Sequence, residues 1–168
     1  MSKSLILLGA LSIIFLNVSG LAVARADDRA EIQKQLDTEM AGVREHDINK
    51  VMSVYAPGPQ LVVYDAVPPP KYVGWDAVKA DYENYFKAFP GKTEGGCYDV
   101  QIGVERDFGY AFEFQKWTFT KADGTQVPLF QRVTQIYRKI NGRWLIIHEH
   151  ASVPADLLPQ EDKTKSKN

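Results

Sequence analysis

Residues 128–154 read PLFQRVTQIYRKINGRWLIIHEHASVP, and this stretch decides the fold. Two long runs of β-forming residues flank the dipeptide Asn141-Gly142. Asn-Gly suits a two-residue hairpin turn, because both central residues of such a turn adopt positive φ. The pattern predicts two antiparallel strands over residues 127–139 and 143–152. Two of the three histidines lie on the second strand, which makes this strand the first candidate for a functional site.

The rest of the chain predicts one α+β domain around this hairpin. An apolar stripe formed by Ile32, Leu36, Met40 and Val43 has helical spacing. The predicted helices cover residues 28–46, a short segment capped by Asp47, and residues 75–89. The other predicted strands cover residues 60–65, 71–73, 97–104 and 109–120, with a polar turn over 93–96. The last four strands would form an antiparallel meander, and the helices would bury their stripes against one face of a curved sheet.

The first 26 residues have the pattern of a secretory signal peptide. Lys3 precedes an apolar run over residues 5–16, and Ala24-Arg25-Ala26 supplies small residues for cleavage after Ala26. A retained membrane anchor is the alternative, although the apolar run is short for a span. We expect a periplasmic or secreted protein that does not contact the membrane after cleavage. Residues 157–168 form a polar tail that is predicted to be disordered.

Charge and cysteine content exclude two classes of protein. The 168-residue chain has a net charge of −1 and no basic clusters, which argues against nucleic acid as a partner. Cys97 is the single cysteine, so no disulfide can form within the chain. The domain must therefore be stabilised by its apolar core, and Cys97 is expected to be a small buried hydrophobe.

His148 and His150 are the first candidates for chemistry. Strict alternation along the last strand places them on one face with Trp144 and Ile146. They could act as a general acid or base, since imidazole titrates near neutral pH. They could equally be structural histidines that satisfy buried polar groups. Only two potential metal ligands are visible in the motif, so no metal site is predicted.

Arg132 is the second candidate, because it lies on an otherwise apolar strand face between Phe130 and Thr134. Its guanidinium could clamp a carboxylate or enolate oxygen, or it could form an ion pair with an acid such as Asp65, Asp99 or Glu113. Aromatic residues are numerous enough to line a cavity for a small apolar ligand. The predicted ligand-binding residues are Tyr64, Asp65, Tyr82, Phe86, Trp117 and Thr134. No cofactor is predicted.

Three segments resemble the SnoaL-like branch of the nuclear transport factor 2-like superfamily. They are VVYD at 62–65, YVGWDAV at 72–78, and RVTQIYRKINGRWLIIHEHASVP at 132–154. The motif W-x-I-x-H-x-H-x-S at 144–152 is also similar to the association domain of calcium/calmodulin-dependent protein kinase II. The resemblance implies a cone-shaped domain over residues 27–156, with a curved antiparallel sheet wrapped around the first and third helices and open at one end to a pocket. It also implies a homodimer formed through the outer face of the sheet.

Two functional hypotheses follow. In the first, an exported domain binds a small, partly apolar carbonyl or carboxylate compound. Arg132 holds an oxygen of this ligand, His148 or His150 acts as base or donor, and proton abstraction leads to isomerisation, cyclisation or dehydration. In the second, the domain is a non-catalytic dimeric module for binding or assembly, since one fold hosts both roles.

Overall fold

The computed structural model of the chain describes residues 17–154, with side chains from residue 27 onward. The apolar run at 5–16 and the tail at 157–168 lie outside the described residues. The elements, in chain order, are α1 (Asn17–Glu45), α2 (Ile48–Met52), β1 (Val62–Tyr64), β2 (Lys71–Val73), α3 (Trp75–Ala88), β3 (Thr93–Glu105), β4 (Phe108–Thr120), β5 (Gln126–Ile140) and β6 (Arg143–Ser152).

The six strands form one curved, unclosed sheet in the order β2-β1-β6-β5-β4-β3. β1 runs parallel to β6, and all other neighbouring strands are antiparallel. The predicted meander of β3 to β6 and the α+β class are therefore confirmed. At the β5–β6 turn, Asn141 and Gly142 have φ of 51° and 79°, as the Asn-Gly pattern predicts.

The helices bury their apolar stripes against the inner face of this sheet. Ile32, Leu36, Met40 and Val43 of α1 all belong to the core. The carboxylate of Asp47 caps α2, accepting hydrogen bonds from the backbone N–H groups of the second and third residues of that helix at 3.0 Å. The backbone of α1 is helical from residue 17, so the helix begins earlier than the predicted residue 28. Within the described residues, no helix combines the length and the apolarity needed to span a membrane.

The predicted turn over residues 93–96 is wrong, because these residues are the beginning of β3 and pair with β4. Their glycines explain the error. A Cβ atom on Gly95, which has φ of +135°, would lie 2.1 Å from the carbonyl oxygen of Lys116. Glycine here permits a close strand pairing, whereas in the sequence it is also typical of a turn.

A β-bulge in β6 determines which residues face the interior. Ile136 pairs with His148, whereas the next residue of β5, Tyr137, pairs with Ile146, so Ile147 is the extra residue. Before the bulge, Trp144 and Ile146 are in the core. The strict alternation predicted for this strand is therefore wrong. After the bulge, the buried inner positions belong to Glu149 and Ala151, and His148 and His150 face the outer side of the sheet.

Candidate functional site

A cavity of about 350 Å³ lies between the helices and the inner face of the sheet. Its wall combines side chains of α1, α3, the β1–β2 region and strands β4 to β6. Six aromatic residues contribute to it: Tyr72, Tyr82, Tyr85, Phe89, Trp117 and Phe119. The volume and the mostly apolar lining suit a small organic molecule.

Two buried glutamates form the polar part of this wall. Glu39 belongs to α1 and is 1% exposed, and Glu149 belongs to β6 and is 8% exposed. The Tyr55 hydroxyl lies 2.7 Å from Oε1 of Glu39 and 2.8 Å from Oε2 of Glu149. Gln135 Nε2 donates to Oε2 of Glu39 at 2.7 Å and to Oε2 of Glu149 at 2.9 Å. Side chains from α1, β5, β6 and the segment after α2 thus bring the two carboxyl groups to one point.

The hydrogen-bond arrangement requires a proton on this pair. The Tyr55 hydroxyl has one hydrogen, which it can donate to one carboxylate only, so the other carboxyl must be the donor in its own contact with Tyr55. Burial raises the pKa of Glu39 well above its usual value, and the negative charges of Glu149 and Glu113 raise it further. Burial also raises the pKa of Glu149, against the opposing effect of hydrogen bonds from Gln135 and Tyr55. Both pKa shifts are upward, so the pair holds a proton to a higher pH than ordinary glutamates do.

Tyr82 links this pair to the cavity. Its hydroxyl lies 3.3 Å from Oε1 of Glu39 and 3.1 Å from the Tyr55 hydroxyl, and its side chain lines the cavity. Burial and the charges of Glu39 and Glu149 raise the pKa of Tyr82 well above its usual value. Tyr82 therefore stays a protonated donor at neutral pH.

A second pair of carboxyl groups, Asp65 and Asp81, lines the cavity in a half-buried position. Burial raises the pKa of both groups, and the charge of Asp81 adds to the effect on Asp65. The Tyr72 side chain hydrogen-bonds to Asp81, which moderates the pKa shift of Asp81. The cavity thus has a deeply buried carboxyl pair and a more accessible one.

A chain of hydrogen bonds on the inner face of β4 holds the Trp117 ring. Gln115 Nε2 donates to Oε1 of Glu113 at 2.6 Å, and Trp117 Nε1 and Gln131 Nε2 each donate to Gln115 Oε1 at 2.9 Å. Among the described residues, the second oxygen of Glu113 is buried without a partner. Burial raises the pKa of Glu113 to about 7. It also raises the pKa of the nearby Cys97 thiol to about 12, with a contribution from the charge of Glu113, which keeps the thiol protonated.

Three of the residues predicted from the sequence line the cavity: Asp65, Tyr82 and Trp117. Phe86 lies next to Tyr82, with ring centroids 6.1 Å apart, and stacks on His46 at 4.9 Å. It supports the wall without lining it. The His46 ring is fixed in turn by a 2.8 Å hydrogen bond between Nε2 and the Thr93 hydroxyl.

The other predicted residues lie on the opposite, outer face of the sheet: Tyr64, Arg132, Thr134, His148 and His150. Nδ1 of His148 lies 2.8 Å from the Val62 carbonyl oxygen, and the rings of His148 and His150 contact Tyr64 edge to face at 5.3 and 5.7 Å. Thr134 pairs with His150. Arg132 pairs with Phe114 on β4, whereas its predicted ion-pair partner Glu113 faces the interior. Arg132, His148 and His150 therefore do not line the cavity, and any chemistry they perform would be on the outer face.

Sequence reasoning missed the two buried glutamates, their partners Tyr55 and Gln135, and the cavity residue Asp81. One signal for Glu39 was present, because it lies within the apolar stripe of α1, between Leu36 and Met40. An acidic residue on a buried stripe is unusual. No comparable signal marked Glu149, since its inward orientation depends on the bulge at Ile147.

Comparison with known proteins agrees with this fold. The model of the SnoaL-like domain family matches residues 32–156, so the chain belongs to this family. No curated protein matches the chain. Solved structures with the same fold include a nuclear transport factor 2-like protein of unknown function from Pseudomonas putida, which is 26% identical, with a TM-score of 0.70 and coverage of 79% of this chain and 90% of the other.

Two more distant structures share the fold. A proposed calcium/calmodulin-dependent protein kinase II association domain from Xanthomonas campestris is 23% identical, with a TM-score of 0.65 and coverage of 76% of this chain and 88% of the other. A proposed dehydratase from Streptomyces avermitilis is 13% identical, with a TM-score of 0.68 and coverage of 78% and 99%. These likenesses define the cone-shaped architecture and confirm the resemblance seen in the sequence.

Proposed function

We propose that this protein binds a small, largely apolar carbonyl compound in the cavity and transfers protons to and from it. The observation that carries the proposal is the Glu39–Glu149 pair, which shares a proton at the wall of an aromatic cavity. A carboxylate in such a site is a stronger base than in water, and its protonated neighbour is an available acid.

The reaction would begin with transfer of a proton from the carbon next to the carbonyl to the ionised carboxylate of the pair. The electrons of the C–H bond form a carbon–carbon double bond, and the carbonyl oxygen becomes an enolate. Tyr82, which stays protonated, donates a hydrogen bond to that oxygen. In an unsaturated ketone, return of the proton from the carboxyl group to a different carbon gives isomerisation. In a ketone with a hydroxyl group on the next carbon, the same proton passes to the leaving hydroxyl, which departs as water as the C–O bond breaks, and this gives dehydration.

The cavity favours the carbonyl compound over the carboxylate compound that the sequence also suggested. Four carboxyl groups line it, those of Glu39, Asp65, Asp81 and Glu149, and no Lys, Arg or His occurs among its described lining residues. A buried carboxylate ligand needs a cationic partner, whereas a neutral carbonyl needs only a hydrogen-bond donor.

Deuterium exchange into an aryl ketone such as α-tetralone, followed by NMR, tests the proposal. We expect exchange by the wild-type protein and a loss of roughly a hundredfold or more in Glu149→Gln and Glu39→Gln. His150→Ala is the matched control, because this histidine lies on the other face of the sheet, and it should exchange at the wild-type rate. Equal exchange in the wild type and Glu149→Gln would contradict the proposal.

A second candidate function, a non-catalytic dimeric module, is favoured by the outer face of the sheet. The rings of Tyr98, Phe114 and Phe130 stack on one another with centroids 5.7 to 6.4 Å apart, and Phe112 is 45% exposed beside them. We propose that a second copy of the chain covers this aromatic face, since a patch of this kind on a monomer is unusual. A stable dimer that shows no proton exchange with any ketone would favour this candidate.

We further propose that the protein acts after export, in the periplasm or outside the cell. The signal-peptide pattern of residues 1–26 supports this proposal.

A further inference from the structure

The charged groups that line the cavity all have the same sign. Glu39 and Glu149 share a proton and are well hydrogen-bonded, but Asp65 and Asp81 are less completely satisfied. Asp65 Oδ1 accepts a 3.3 Å hydrogen bond from the backbone N–H of Val67, and Asp81 interacts with Tyr72. In the part of the chain with described side chains, neither aspartate forms an ion pair. Half-buried carboxylates without a counter-ion are costly, and a ligand could supply the missing positive charge.

Aromatic rings surround these carboxyl groups. Tyr72, Tyr82, Tyr85 and Trp117 line the same cavity, and the faces of such rings attract cations. The Tyr85 hydroxyl is buried without a hydrogen-bond partner among the described residues, which points independently to a missing polar contact. Aromatic faces combined with carboxylates are the usual surroundings of a bound organic ammonium group.

The missing counter-ion is interpreted as an organic cation and not as a metal ion. Among residues with described side chains, no three His, Cys, Asp or Glu groups are arranged to hold a metal ion. The cavity of about 350 Å³ instead has room for a molecule with an apolar body.

We infer that the ligand carries a positively charged nitrogen, either a protonated amine or a quaternary ammonium, on an apolar or aromatic body. Asp65 and Asp81 would bind the charged end, and the uncharged reactive part would face Glu39 and Glu149. This inference rests on the proposed function, because it names the class of compound that the same cavity takes.

Binding of a cation should depend on pH through the acids that face it. These groups are Glu39 from α1, Asp65 from the β1–β2 region, Tyr72 from β2, Asp81, Tyr82 and Tyr85 from α3, and Glu149 from β6. Because burial raises the pKa of both aspartates, they lose protons later than ordinary aspartates as the pH rises. Affinity for a permanently charged cation should therefore increase as the pH rises through this range.

Three probes that differ only at one end test the inference by calorimetry. They are 3-phenylpropyl-trimethylammonium, its uncharged isostere with a tert-butyl group in place of the trimethylammonium, and the corresponding phenylalkyl carboxylate. We expect the cation to bind about tenfold or more tightly than the isostere, and the carboxylate to bind least. In Asp65→Asn/Asp81→Asn, the advantage of the cation should be lost while the isostere binds as before.

Asp76→Asn is the matched control, because Asp76 is exposed at the start of α3 and does not line the cavity. It should leave binding of all three probes unchanged. If the isostere or the carboxylate binds as tightly as the cation, the inference is overturned while the proposed function stands. If none of the three probes binds, both are contradicted.

Discussion

Glu39 and Glu149 bind the same side-chain nitrogen, Gln135 Nε2, at 2.7 and 2.9 Å. The two acids lie far apart in the sequence, one on the first helix and one on the last strand. Because Gln135 and Tyr55 each contact both carboxyl groups, the two acids titrate as one unit. On β6, the bulge at Ile147 turns Glu149 inward and its neighbours His148 and His150 outward.

Stability should fall as the pH rises, and Glu113 provides the clearest test. Its folded-state pKa is about 7, above the ordinary value of 4.5 expected in the unfolded chain, so the folded state binds more protons between these values. The free energy of unfolding should therefore decrease from pH 4.5 upward and level off above pH 7, by an amount on the order of 3 kcal/mol for this group. Glu113→Gln should remove this part of the slope.

Urea denaturation at pH 5 and pH 8 measures the effect. Glu113→Gln should be more stable than the wild type at pH 8 and nearly equal to it at pH 5. Glu31→Gln, at an exposed position on α1, is the control and should follow the wild type at both pH values. A Glu113→Gln protein with the wild-type pH slope would show that Glu113 titrates normally.

Filling the cavity should block ligand binding without unfolding the domain. Ala151 lines the cavity, so Ala151→Leu places extra carbon atoms in the space that a ligand would occupy. We expect affinity for any ligand of the cavity to fall by about tenfold or more, with a stability change of about 1 kcal/mol. Ser152→Leu, one residue further along and on the outer side, should bind like the wild type in the same calorimetric assay. Unchanged binding by Ala151→Leu would place the ligand elsewhere.

The aromatic outer face should control the oligomeric state. Phe130 is 42% exposed within the stacked group, so Phe130→Lys would introduce a charge at the centre of the proposed dimer interface. We expect light scattering to report a dimer for the wild type and a monomer for this variant. Val73→Lys changes an apolar residue on β2 that is 52% exposed, and this variant should remain dimeric. A monomeric wild-type protein would exclude the second candidate function.

Processing of the amino terminus should preserve Asp28. Its Oδ1 atom accepts hydrogen bonds from Lys139 Nζ at 2.5 Å and Trp144 Nε1 at 2.9 Å, which tie the start of the domain to the sheet. Cleavage after Ala26 leaves these contacts intact. Mass spectrometry of the exported protein should give a chain that begins at Asp27. A mature chain that begins after Asp28, or a chain retained at full length, would contradict this prediction.

Much of the fold could be predicted because its signals are local. The Asn141-Gly142 turn, the Asp47 cap and the helical stripe of α1 each depend on residues close together in the chain. The parallel pairing of β1 with β6 and the beginning of β3 at Thr93 depend on contacts between distant segments, which periodicity does not reveal.

The candidate site was harder to predict, because one bulge in β6 reverses which of its residues face the interior. Trp144 and Ile146 face inward, and simple alternation would place His148 inward with them. The insertion at Ile147 instead turns the histidines to the outer face and buries Glu149. A bulge is set by pairing with β5, so no property of β6 alone could have indicated it.

The protonation state of Glu39 and Glu149 tests the central claim most directly. Carbon-13 NMR of protein labelled at the glutamate carboxyl carbons, with Glu39→Gln and Glu149→Gln used to assign the two signals, follows each group through a pH titration. The shared-proton arrangement predicts two coupled transitions, with one proton held by the pair to a pH well above the ordinary glutamate pKa. Two independent transitions near the ordinary glutamate pKa, with both groups ionised at pH 7, would contradict it.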